Sequence, residues 1–150
     1  MKREAATLRV GLQLGLVSVR EVVGWADEQI AATDTPPEAL LDLALMAHAN
    51  HLDVLSRLRG LSTTVPSLDV LPRALKTGLH RLREDPSLGP VVARGLYQLF
   101  VEANYEVPDE LRQIGQFEDA YALAKQGSYG TEEGVFRELL TFASRFEDAR

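Results

Sequence analysis

His48 and His51 stand three residues apart, with Asn50 and Asp53 beside them. Two imidazoles and a carboxylate on one helical face are the beginning of a metal site, but a stable site needs three or four ligands. No cysteine is present to supply a thiolate ligand or nucleophile. A carboxylate-bridged dimetal bundle needs Glu-x-x-His pairs, and here no glutamate is followed by histidine three residues on. Histidines at the end of a helix have a simpler use, because their cationic form offsets the negative end of the helix dipole. The expectation is therefore no metal, no cofactor and no catalytic residue. The chain also lacks a phosphate loop, the G-x-S-x-G nucleophile elbow and the G-x-G-x-x-G dinucleotide turn.

Nucleic-acid binding would need a basic footprint. Arg73, Lys76, His80 and Arg83 share one side of a helix, opposite its leucines, and Arg81 flanks them. The stripe lacks interleaved aromatics and belongs to an acidic protein. A solvated face, or one that pairs with acids of its own fold, is the favoured reading, and binding through residues 73–83 is the alternative.

The charge is unevenly placed. The formal net charge is −6, and residues 102–138, with nine acids against three bases, carry all of it. Helix N-termini collect acids. That accounts for Asp109, Glu110, Glu118, Glu132 and Glu133, but not for Glu102 and Glu106. Tyr105, Tyr121 and Tyr129 are interleaved with the acids. Charge steers encounter and tyrosine anchors it, so the segment is a candidate face for a basic protein partner. Its candidate contact residues are Glu102, Tyr105, Glu106, Asp109, Glu110, Glu118 and Asp119.

The elements that must position these groups are helical. Breakers separate stretches of helical period, and no stretch has a convincing period of two. A first helix spans about residues 3–15, with Gly11 and Gly15 marking either a close approach or a weak end. Ser18-Val19-Arg20-Glu21 is a capping box opening a helix to about Ala32. Trp25 lies off that helix's apolar stripe, and cover by another element is expected. Thr35-Pro36-Pro37-Glu38 reads as a second box. It opens a helix over 36–49 that is apolar nearly all round, which places it at the centre of the domain.

A further turn or two follows from Asp53 to Gly60, read as a stop, and then a loop from Leu61 to Pro66. Asp69 to Glu84 is helical with Pro72 in its first turn, and Asp85-Pro86-Ser87 breaks the chain. Helices near 88–103, 108–114 and 117–125 come next, the second opened by Pro108 and the last stopped by Gly127. Thr131 caps a final helix to Phe146. The prediction is an all-α bundle of seven to nine helices in one domain, residues 1–150, with a short α-solenoid as the alternative.

No stretch approaches the roughly 18 uncharged apolar residues of a membrane span. Glu4 and Arg9 interrupt the faint signal-peptide pattern at the N-terminus. Absence of cysteine suits a reducing compartment, so a cytoplasmic protein is expected.

The stretch Leu123-Ala124-Lys125-Gln126-Gly127-Ser128-Tyr129-Gly130-Thr131-Glu132-Glu133, with Trp25-Ala26-Asp27 upstream, resembles a group of small uncharacterised bacterial helical proteins. Some of these look like immunity partners of secreted toxins. The resemblance covers most of the chain through cap-and-turn chemistry and implies no functional residue. Together these observations give an expectation of a non-enzymatic interaction protein, one version being an immunity-like inhibitor of a basic toxin.

Overall fold

A computed structural model describes residues 1–150 and contains helices and turns but no strands. The helices are α1 (Lys2–Gln13), α2 (Val19–Ala31), α3 (Glu38–Ala44), α4 (His51–Ser62), α5 (Ser67–Glu84), α6 (Leu88–Glu102), a 3-10 helix (Asp109–Gly115), α7 (Phe117–Lys125) and α8 (Glu132–Ser144). They pack as a compact bundle, not as a stack of helix pairs. No helix is long and apolar enough to cross a membrane.

Local chemistry explains most boundaries. The Ser18–Glu21 box forms in both directions, with Ser18 Oγ accepting from the Glu21 amide and Glu21 accepting from the Ser18 amide. Thr131 Oγ1 accepts from the Gly134 amide and caps α8. Three helices end in a Schellman motif, whose paired bonds satisfy the last carbonyls. At the end of α1, Leu16 N–H donates to the Gly11 carbonyl and Gly15 N–H to Leu12. Gly15 takes the left-handed φ of 76° that this turn requires. Gly127 does the same after α7, at φ 74°. After α6 the left-handed position falls to Asn104, at φ 55°.

The apolar residues form two cores. The larger takes Val70, Leu71, Leu75, Leu79 and Leu82 from α5 and packs them against α6, α7, α8 and the 3-10 helix. The smaller gathers Val22 and Ala26 of α2, Leu40 and Leu43 of α3, and Val54, Leu55 and Leu58 of α4. Helix α1 serves both, giving Ala6 and Val10 to the first and Ala5 and Leu12 to the second. It packs closely on α4 on one side and α5 on the other.

The centre of the fold is thus α1 and α5, and not residues 36–49. That expected central helix is one seven-residue helix and a turn. It stops at Ala44, a turn follows, and Asn50 opens α4 by accepting from the Asp53 amide. Helix α3 touches only α2 and α4 among its main neighbours, and Leu45 is 86% exposed while Leu43 is fully buried. Apolar residues on every side came from the break, because no single enclosed cylinder exists there.

Other boundaries differ on a smaller scale. Thr35 does not cap α3, since Pro37 holds that position. Gly60 continues α4 as far as Ser62 and does not stop it. Helix α5 starts at Ser67, which puts Pro72 in its second turn. Trp25 is half-buried against the smaller core, and its indole N–H donates to Glu4 across to α1 at 3.2 Å. Cover by another element is what the structure provides.

Candidate functional site

The histidine pair does not share a helix end. His48 lies in the turn after α3 and His51 is the first residue of α4, so the dipole argument does not apply to either. Asn50 is engaged as the α4 cap, and both imidazoles are exposed.

The basic stripe on α5 is largely engaged within the fold. Arg83 pairs with Glu147 and reaches Ser144 Oγ, Lys76 Nζ donates to the Ala149 carbonyl at 2.7 Å, and His80 lies 3.3 Å from Glu84. Arg81 makes two hydrogen bonds to the Glu21 carboxylate and a third to the Leu16 carbonyl. These contacts hold the Glu21 carboxyl below its usual range, chiefly through the Arg81 hydrogen bonds. Arg73 alone of these residues has neither an ion pair nor a side-chain hydrogen bond. The stripe therefore clasps α2 and the C-terminal residues onto α5.

The seven residues of the acidic candidate face occupy the end of α6, the following turn, the 3-10 helix and the start of α7. Three acids are paired. Glu102 lies 3.9 Å from Arg59 and accepts from the Gln13 side chain at 3.2 Å, which ties α6 to α4 and α1. This is a structural use for an acid that no helix N-terminus explained. Asp109 pairs with Arg112 in its own turn, and Glu118 lies 3.8 Å from Arg94 on α6. Glu106, Glu110 and Asp119 are exposed and have no ion pair.

Tyr105 occupies the second position past the cap of α6. In a Schellman motif that residue commonly packs back on the last turn of its helix. Here its ring meets Phe100 edge-on with centroids 5.2 Å apart. Tyr105 itself has φ 63°, which follows Asn104 into the left-handed region. A non-glycine residue there costs about 1–2 kcal/mol, so the turn is held by its contacts. The Tyr97 ring lies 6.4 Å from Phe100 on the other side.

Tyr97 and Val101 are four apart on α6 and share its outer face. Tyr97, Val101 and Tyr105 are 37%, 39% and 59% exposed, an unusual density of large apolar groups at the surface. Tyr97, Phe100 and Val101 were missed as site residues. Their signal is that Tyr97 and Val101 fall off the Val92–Leu96–Leu99 core stripe.

The other two tyrosines do not join this patch as anchors. Tyr129 is 80% exposed in the turn before α8, and Tyr121 is buried within the larger core. No protein family, curated protein or solved structure matches the chain.

Proposed function

We propose that this protein is a non-enzymatic interaction module that docks a basic protein partner on the outer face of α6 and the turn beyond it. The observation that carries the reading is the row Tyr97–Phe100–Tyr105, half-exposed with Val101 beside it, at the start of the strongly negative segment 102–138. Tyrosine gives large, rigid contact area with little side-chain entropy to lose, and such residues dominate interface energetics. Glu106, Glu110 and Asp119, free of intramolecular ion pairs, would steer a cationic partner. Glu102, Asp109 and Glu118 contribute potential but are partly neutralised by their own arginines. An immunity-like inhibitor of a basic toxin is one concrete version, acting in a reducing compartment such as the cytoplasm, which a chain without cysteine suits.

The test is binding kinetics against a partner captured from the native host, with wild type and two variants. Tyr97→Ala with Tyr105→Ala should raise the dissociation rate and weaken affinity at least about tenfold. Glu106→Lys with Asp119→Lys should mainly slow association, and added salt should shrink that difference. A partner that binds both variants as wild type, yet loses affinity on Arg73→Glu, would move the interface to α5 and favour the nucleic-acid reading.

A further inference from the structure

Where α1 meets the end of α4 and the start of α5 lies a cavity of about 320 Å³, at the lower end of the range of small-molecule sites. Arg9 and Arg59 line it together with Gln13, Thr63, Ser67 and Glu102. Arg9 is only 6% exposed. Its two terminal nitrogens are spent on neutral oxygens of Ser62, Val65 and Ser67, and its Nε–H has no acceptor. The Tyr121 hydroxyl is the one fully enclosed side-chain polar atom of the protein without a partner. The free Arg9 Nε–H therefore keeps an opening to solvent, and the cavity that Arg9 lines provides it.

We propose that this cavity binds a phosphate group, free or carried by a small monoester, against the Arg9 Nε–H and the Arg59 guanidinium. The lining is rich in donors and poor in acceptors. Arg59 makes no hydrogen bond within the protein, since its approach to Glu102 stops at 3.9 Å. The Ser67 hydroxyl accepts from Arg9 and keeps its own proton to give. Phosphate presents several acceptor oxygens, and guanidinium groups meet them with short, charge-assisted bonds. One wall is the start of α5, an 18-residue helix whose N-terminus no side chain caps. Its dipole and free amides favour an anion at that end. Asp69, the acid of that first turn, does not line the cavity.

The charge of the lining has the right sign, with two guanidinium groups against one carboxylate. Glu102 is held by Gln13 at 3.2 Å and also lines the neighbouring cavity of about 300 Å³, so it stands at the rim between the two. Neutral oxygens satisfy the hydrogen bonds of Arg9 but leave its buried charge without a counter-charge. Burial, and then the Arg59 charge, pull the Arg9 pKa down, and a bound phosphate would oppose the second effect. The site does not depend on the Tyr97–Tyr105 patch being an interface.

The experiment titrates the intact protein, by two-dimensional NMR of amide and arginine Nε–H groups, with inorganic phosphate, glycerol 3-phosphate, acetate and sodium chloride at matched ionic strength. Both phosphates should bind more tightly than acetate or chloride. The Arg9 Nε–H resonance should move with them, together with the amides of residues 62–68. Glycerol 3-phosphate binding more tightly than inorganic phosphate assigns the site to a monoester, and the reverse order assigns it to the free ion. Arg59→Gln, an exposed change, should weaken phosphate about tenfold. Glu102→Gln keeps an acceptor for Gln13 and removes the opposing charge, so it should tighten phosphate about threefold. A purely structural Glu102 would not give that gain. Phosphate binding no tighter than acetate or chloride, an Arg9 Nε–H resonance that stays still, or weaker binding in Glu102→Gln would overturn the proposal.

Discussion

The Arg9 guanidinium donates to both the carbonyl and the hydroxyl of Ser62, at 3.2 and 2.6 Å. Its other terminal nitrogen donates to the Val65 carbonyl and to Ser67 Oγ. Arg9 is only 6% exposed, and no carboxylate pairs with it. Burial, and then the nearby Arg59, pull its pKa down, with Glu102 opposing. The fork-shaped cation thus latches α1 to the α4–α5 connection through neutral acceptors. Arg9→Met should destabilise the protein by about 3 kcal/mol, because it leaves buried carbonyl and hydroxyl groups without donors. Arg9→Lys should recover less than half of that, since an ammonium cannot span the four acceptors. Urea melts of the three proteins decide it. Equal midpoints would mean that the latch contributes nothing.

Leu43 and Leu45 separate the two accounts of the 36–49 stretch. Leu43 is fully buried in the smaller core and Leu45 is 86% exposed. Leu43→Ala should cost about 2–5 kcal/mol, the usual range for a buried leucine truncation. Leu45→Ala should fall within about 0.5 kcal/mol of wild type. Denaturant midpoints measure both. A large loss from Leu45→Ala would restore the enclosed central helix.

Gly95 lets α6 reach the end of α1. A Cβ there would meet the Gln13 carbonyl oxygen at 2.7 Å and Leu14 Cα at 3.0 Å, both backbone atoms that cannot rotate away. Gly95→Ala should therefore destabilise by about 1–3 kcal/mol despite the better helix propensity of alanine. Gly24→Ala, on α2 with nothing within 4 Å of the new Cβ, is the control and should be neutral or stabilising. A thermal melt in which both variants gain stability would show that α1 and α6 are not in close contact.

Tyr121 makes stability fall in alkali. Burial, and then the Glu132 charge, push its phenol up to about 12 from 10.0. The unfolded chain ionises first, so this contribution is whole below pH 10 and is lost as pH rises towards 12. Tyr121→Phe should be at least as stable as wild type near neutrality, where it removes an unsatisfied hydroxyl. It should also lose less stability across the alkaline window. Guanidinium melts of both proteins at neutral and alkaline pH test this. A variant that is less stable near neutrality, with the same alkaline loss, would assign the hydroxyl a partner in the folded protein.

Helix identity was legible because caps and stops are local chemistry. Ser18 and Glu21, Thr131, and Gly127 after α7 act over three to five residues, and each behaves in the fold as its spacing implies. The all-α class follows from the same signals together with the helical period of the leucines. The placement of whole helices was not local. Residues 36–49 have the composition of an enclosed helix, yet the helix stops at Ala44 and a turn leads to the Asn50 cap of the next one, and the central place went to α1, which serves both cores.

Residue types and net charge were likewise readable, but charge pairing was not. Glu102 and Glu106 are four residues apart and equivalent in sequence. Only the approach of Gln13 and Arg59 engages the first and leaves the second free. Tyr105 and Tyr121 look alike in the chain, but one is bent outward by a left-handed turn against Phe100 and the other is buried beneath Gly89. The physical reason is range. A cap or a stop is complete within one turn of backbone, whereas burial and ion pairing depend on atoms that the chain brings together from distant positions.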